Sequence, residues 1–521
     1  MSTLLLPPAQ HFSQHDATHD WLPLHNQQQL LETIRRAIGK ARATHHAVAA
    51  SYARPIPACD PLPLFASRKT TEAFYWEQPS RQTANAAIGA AYHIIVDGPA
   101  SMLVATEHWR CLLTDAVCVS EYDEGNEKHG ANDNADGADS APLSGPICFG
   151  GFSFDPHAPH TGLWEGFPSG MLSLPEALVS VAQGNAQLTL NALVSADDQP
   201  EDVATRLITN VARLASQSAT AHADDENLLT NVQAAHSVKL TELCPREEWM
   251  RLVGEATEEI RQGAYQKVVL ARGVQAERYA AEREDSFESE ANLRATLQRL
   301  RQGNSTATVF AIRRGERTFL GATPERLAQV TTNGELRTMA LAGTARRGAT
   351  PDEDERLARG LLESTKTHEE HAIVVTSIVE TLRPLCQRLD VADTPQVITL
   401  ANVQHLLTPI TGFVKAQVSA LDVVSALHPT PAVGGFPRQA ALEAIRAHEG
   451  LDRGWYAGPV GWLGPQGEGE FVVALRSALL ASNRATLFAG CGIVADSEPQ
   501  VEYVESQTKL RVMLQGLGVT D

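Results

Sequence analysis

Between residues 306 and 346, four runs rich in β-branched residues, TATVFAIRR, TFLGA, RLAQVTT and ELRTMALAG, follow one another with only turns between them. No interval here can hold the dozen or more residues of a crossover helix, so these strands can pair as neighbours only in antiparallel fashion. QKVVLARGVQ, EFVVALRSALL and RATLFAGCGIV read as one further strand each. Helical spacing is confined to separate blocks. EEWMRLVGEATEEIRQG has Gly263 as its stop, and residues 352–388 form one long helix ending near Leu382, because Pro384 disfavours helical geometry before it. SALDVVSAL, PRQAALEAIRAHEG and PQVEYVESQTKLRVMLQGL supply three more. Strands in adjacent runs and helices in blocks predict an α+β fold with large antiparallel β-sheets flanked by helices, and argue against alternating βαβ units.

Upstream, ICFGGFSF and AQLTLNALV within 147–214 are also strand-like. Two polar stretches punctuate this part: 121–145, acidic and rich in Gly, Asn and Asp, expected as a mobile surface loop, and 215–237, expected as a linker. The chain therefore divides into an N-terminal portion of the fold, 1–240, and a densely patterned region, 245–515. A net charge of −19 without clustered Lys or Arg excludes a nucleic-acid partner. No run reaches the ~18 apolar residues of a membrane span, and MSTLLLPPAQHF lacks the basic start of a signal peptide. Seven scattered cysteines without a CxxC fit free thiols in a reducing compartment, so a cytoplasmic protein is expected.

Several residues carry chemistry. Glu502, Glu505 and Lys509 fall at i, i+3 and i+7, on one face of the closing helix. Such a face is ordinarily a solvated surface, but here it follows AGCGIVADS, whose glycines let a backbone approach a ligand closely. Glu369, Glu370 and His371 sit where another helix turns apolar. Carboxylates from two helices suit Mg²⁺, whereas imidazole does not. Lys267 opens the strand KVVLAR, where a lysine is normally solubilising; made neutral by burial, it could act as a base. Glu325 in GATPERL follows a proline in a tight turn, otherwise a plain surface position. HPTPAVGGFPR (428–438) is a stiff loop suited to shaping a pocket.

Together these segments resemble the chorismate-utilising enzymes. KVVLAR, GATPERL, LAGTARRG, KTHEEHAIVV, VQHLLTPITG, LHPTPAVGGFPR, GWYAGPVGW, EFVVALRSALL and AGCGIVADSEPQVEYVESQTK occur in family order across 245–515; the N-terminal half is similar only through FGGFSF. The resemblance implies a chorismate-binding-enzyme-like fold. It implies Mg²⁺ held by Glu370 and Glu505, with Glu502 or Glu369 reaching it through water, and gripping the ring carboxylate of chorismate. Tyr456, Arg476, the backbone near Gly490 and Gly492, and Lys509 would hold the side-chain carboxylate region, while Gly343, Thr344 and His405 line the same pocket. Lys267 matches the base that activates water in members adding water at C2, and Glu325 matches the acid that protonates the departing C4 hydroxyl. Ala342 stands where aminodeoxychorismate-forming members carry a nucleophilic lysine, and Thr367 where anthranilate-type members tend to have a second acid.

The expected activity is therefore isomerisation of chorismate to isochorismate, with no glutaminase subunit and no membrane partner. HPTPAVGG and DRGWYAGPVGW look closer to menaquinone-type members. The nearest alternative is a salicylate synthase, which goes on to eliminate pyruvate. A catalytically silent chorismate-binding protein or an interaction scaffold would leave Lys267, Glu325, Glu370 and Glu505 without a common purpose.

Overall fold

Along the strand Glu72–Gln78, Phe74 and Trp76 enter one hydrophobic core and Ala73 and Tyr75 enter another. Thr308–Arg314 repeats the pattern, with Phe310 and Ile312 on one side and Val309 and Ala311 on the other. Successive strand residues face opposite ways, so such strands are buried on both faces. The computed structural model, which describes residues 21–67, 70–121, 141–158, 161–221, 238–278, 286–400 and 403–519, shows what covers them.

One core lies against a second sheet, where Phe149, Phe152, Leu172 and Phe471 meet the first; the rings of Phe74 and Phe149 are 4.8 Å apart. The other core is covered by helices, among them Leu24–Thr44 through Leu30, Ile34 and Ile38, and Pro200–Ala221 through Leu207, Val211 and Leu214. Each large apolar side chain withdrawn from water contributes roughly 1.5–3 kcal/mol. The layers are thus held by the whole alternating pattern and by no single contact.

The first sheet has 13 strands, whose main path runs Val238–Glu242, Lys267–Arg278, Arg484–Ile493, Ser477–Ala481, Arg317–Thr323, Thr308–Arg314, Glu72–Gln78, Thr83–Ile88, Ala177–Ala182, Asn185–Val194, Val48–Ile56 and Val117–Ser120. Gly435–Phe436 adds beside Lys267 and Val268. The second sheet has 10, along Cys386–Val391, Val403–Val414, Glu335–Arg346, Arg326–Val330, Gly469–Val473, Pro459–Leu463, Cys148–Phe152, Gly170–Leu174 and Tyr92–Val96, with Gln396–Thr399 beside Val403–Val414. Among the described residues pairing is antiparallel apart from Val48–Ile56 with Val117–Ser120. The α+β expectation therefore holds, and 1–240 and 245–515 share both sheets. All seven cysteines are free. Among the described residues no helix is long and apolar enough to cross a membrane.

Three sequence expectations need correction. The long helix over 352–388 is two helices, Pro351–Glu363 and Thr365–Leu382, followed by the strand Cys386–Val391. The break is at Ser364, whose side chain accepts from the Thr367 N–H and so starts a new helix as a cap. EFVVALRSALL is two strands in different sheets, separated at Arg476, whose φ of 48° no strand can hold. The linker expected at 215–237 begins as the last turns of Pro200–Ala221. Residues 222–237, and 122–140 of the acidic stretch, lie outside the described residues.

Candidate active site

The chain passes from one sheet to the other at two adjacent places. Pro324 and Glu325 join Arg317–Thr323 to Arg326–Val330, and residues 474–476 join Gly469–Val473 to Ser477–Ala481. The crossings are tied together: Val473 N–H donates to the Glu325 carbonyl at 3.0 Å, the Thr323 hydroxyl to the Val473 carbonyl at 2.6 Å, and Ala322 N–H to the Arg476 carbonyl at 3.1 Å. Glu325 and Arg476 are thereby delivered side by side where the sheets part, 6% and 9% exposed. A cavity of about 290 Å³ opens there, and Lys267, Glu325, Gly343, Thr344, Glu370, His405, Tyr456, Arg476, Gly490, Gly492, Glu502, Glu505 and Lys509 all line it.

Lys267 is 2% exposed, and its Nζ donates to Glu370 Oε1 at 2.7 Å. Gly492 makes that pairing possible. A Cβ there would lie 2.8 Å from Lys267 Cε and 3.4 Å from Glu370 Oε1. Gly343 sits in a bulge between Ala342 and Thr344 with φ 80°, and a Cβ would strike Thr367 Cγ2 at 2.4 Å. His405 donates from Nδ1 to the Gly343 carbonyl at 3.2 Å, since a carbonyl can only accept, and the Thr344 hydroxyl lies 3.1 Å from the same nitrogen. Burial, then the charges of Arg476 and Lys509, hold His405 down at about 3, so the ring is neutral.

The acids and bases are displaced by the same burial. Glu325 is pushed up to about 7 by burial, against the pull of Lys267, Arg476 and Lys509. Glu502 is raised to about 7 by burial and by Glu505. Burial opposes the charge on Lys509, but Glu505 at 2.6 Å more than restores it; the amine also donates to the Gly490 carbonyl at 2.9 Å. Tyr456 is pushed up to about 12 by burial and stacks on Phe488 at 5.0 Å. Arg476 makes no ion pair among the described residues, and burial lowers its pKa. A buried guanidinium facing a cavity is a ready partner for an anion.

Neighbouring residues separate cleanly from this set. Glu369 is exposed and does not line the cavity. His371 is buried and bonded through Nε2 to the Thr408 hydroxyl at 2.7 Å. The Cys491 sulfur lies with carboxylate oxygens of Glu502 and Glu505 inside a 4.8 Å cluster, but burial pushes its thiol far up and it donates to the Glu502 carbonyl. A neutral thiol adds little for a hard cation, so the oxygens of that cluster are those of Glu502 and Glu505, while Glu370 lines the same cavity. Ala432 and Val433 of the proline-rich loop also line the cavity, as does Arg453, which the sequence did not single out.

Residues 33–518 match the family described as chorismate binding enzyme. This chain belongs to that family. Within the chorismate-binding enzymes it is similar to the salicylate biosynthesis isochorismate synthase of Pseudomonas aeruginosa, 38% identical over 93% of this chain and 94% of that one. It is similar also to the isochorismate synthase MenF of Bacillus subtilis, 33% identical over 93% and 97%. The solved structure of MenF, the menaquinone-specific isochorismate synthase from Escherichia coli, superposes with a TM-score of 0.69 at 26% identity, over 94% of this chain and 100% of that one.

Proposed function

We propose that the chain is an isochorismate synthase, converting chorismate to isochorismate, and that Lys267 and Glu325 are its base and acid. The observation carrying this reading is that one cavity buries an amine and a carboxyl whose tasks require opposite protonation. Glu325, at about 7, keeps a proton to give near neutral pH. Lys267 is placed to receive one, with its Nζ held by Glu370 Oε1 at 2.7 Å.

Glu370 and Glu505, with Glu502 beside them, fit Mg²⁺. They come from two helices, and Glu502 is raised partly because Glu505 and Glu370 crowd it with like charge. When bound there, the ion supplies positive charge that holds the ring carboxylate and draws electron density from the ring. The chain's own groups do the rest. Arg476, Lys509 and Tyr456 hold and orient the second carboxylate. Lys267 takes a proton from the water attacking C2, the ring double bonds shift, and Glu325 gives a proton to the hydroxyl leaving C4 as water. One water enters and one leaves, so the reaction is an isomerisation, and the proton now on Lys267 must return to Glu325 before the next turn.

Incubation with chorismate should yield isochorismate, detected by a coupled isochorismate-consuming enzyme. Pyruvate released in step with chorismate loss would instead make the chain a salicylate synthase. Turnover should fall as pH rises through about 7, where Glu325 loses its proton. The same carboxyl burdens the fold. Its folded pKa lies above the ordinary 4.5, so the native state binds the extra proton between 4.5 and about 7. Stability is fully present below that window and declines as pH rises through it. Glu325→Gln should therefore be inactive yet melt several degrees higher than wild type at pH 8, and at the same temperature as wild type at pH 4. An unchanged difference between the two pH values would show that Glu325 is not the group responsible.

A further inference from the structure

The strand that begins with Lys267 has a gap along one edge. On one side it pairs continuously with Arg484–Ile493, from Val268 opposite Ile493 to Glu277 opposite Arg484. On the other, Gly435–Phe436 covers only Lys267 and Val268, and Val238–Glu242 covers only Val274 to Arg278. Val269 N–H still donates to the Gly434 carbonyl at 3.0 Å and the Gly273 carbonyl accepts from Leu243 N–H at 3.0 Å, but the Val269 carbonyl and the Ala271 N–H between them would be orphaned in a buried setting, which is costly.

Two side chains take the place of the missing strand. Arg453 donates to the Val269 carbonyl at 2.7 Å, and Glu449 accepts from the Ala271 N–H at 2.7 Å. The two are locked to each other by a fork of bonds at 2.6 and 2.5 Å, with side chains 4% and 2% exposed. Arg453 reaches the Val433 carbonyl of the proline-rich loop at 3.3 Å and lies over the Phe154 ring, 4.1 Å from its centroid. Its own carbonyl accepts from Tyr456 N–H at 2.8 Å. Four of the five N–H bonds of this guanidinium are committed to the protein, so what it offers the cavity it borders is at most one N–H of Nη1. We propose that Glu449 and Arg453 form a positioning pair that fixes the Lys267 end of its strand, and with it the placement of the Lys267 amine for proton transfer. This rests on the catalytic reading of Lys267 given above.

A pair that acts through Lys267 matters to turnover only while Lys267 is there, which a double-mutant cycle reads directly. kcat and KM for chorismate are measured for Glu449→Gln, and for Glu449→Gln combined with Arg453→Met, each with and without Lys267→Ala, alongside melting temperatures. The double substitution removes both buried charges, so it avoids stranding an unpaired one. Misplacement of a reacting group by about 1 Å costs up to ~10²-fold. The expected result is a kcat at least ~10-fold lower with KM nearly unchanged when Lys267 is present, and no further loss of kcat in Lys267→Ala protein. Equal losses in both backgrounds, an unaltered kcat, or failure of both variants to fold would each overturn the proposal and assign the pair to the scaffold alone. If Lys267→Ala by itself keeps wild-type turnover, the catalytic reading of Lys267 fails, and that is visible in a protein whose Glu449 and Arg453 are intact.

Discussion

Replacing Lys267 by alanine is expected to lower turnover of chorismate at least ~10²-fold, the usual scale for losing a general base. KM should change little, because on the proposed reading Arg476, Lys509 and Tyr456 hold the substrate's second carboxylate and Lys267 holds neither. The fold should tolerate the change, since among the described residues the amine hydrogen-bonds to a side chain alone and the strand keeps its backbone partners. Steady-state kinetics separate the outcomes. A rise in KM at constant kcat would make Lys267 a binding residue, and amination of chorismate dependent on ammonia would remove its role in activating water.

Comparable in size is the effect of the carboxylates. Protein treated with a chelator should be inactive and recover with Mg²⁺, whereas Glu370→Gln and Glu505→Gln should not recover at ordinary Mg²⁺ concentrations. The two variants differ in a useful way. Glu505→Gln deprives Lys509 of its ion pair but leaves its bond to the Gly490 carbonyl, and Glu370→Gln deprives Lys267 of the carboxylate that its amine holds at 2.7 Å. A shared loss of metal response in both would therefore arise from the donor atoms and not from either lysine. Full turnover in excess chelator would falsify the assignment of a metal to these residues.

The site was legible in the sequence to the extent that its chemistry sits on short local patterns. Glu502, Glu505 and Lys509 repeat at helical spacing, and all three do face the cavity. Glu325 was marked by a proline in a turn. What could not be read was why that turn exists: it carries the chain between sheets, as does the segment at Arg476, which looked like the middle of a continuous strand. Strand periodicity is nearly blind to such a step, because both halves are apolar and only one residue takes a positive φ. Gly492 was read as a place for a backbone to approach a ligand, and the structure adds a second reason for a glycine there: its missing side chain makes room for Lys267 and Glu370. Glu449 and Arg453 left no signal beyond a four-residue spacing at a helix end. Their backbone partners are 178 and 184 positions away, which no local pattern records.

Sharing both sheets between the two ends of the chain also governs how the protein must be made. Cys148–Phe152 waits for Pro459–Leu463, and Glu72–Gln78 waits for Thr308–Arg314. At a synthesis rate of about 5–20 residues per second, the first of these waits is roughly 15–60 s on a ribosome. Throughout it, apolar strands that end up covered on both faces stand with open edges, and such edges seek any partner at hand. The molecule thus has no early stopping point at which a finished half could fold and shelter the rest. A nascent chain interrupted before the Pro459 strand should be a client for holding chaperones or an aggregate, and never a smaller working enzyme.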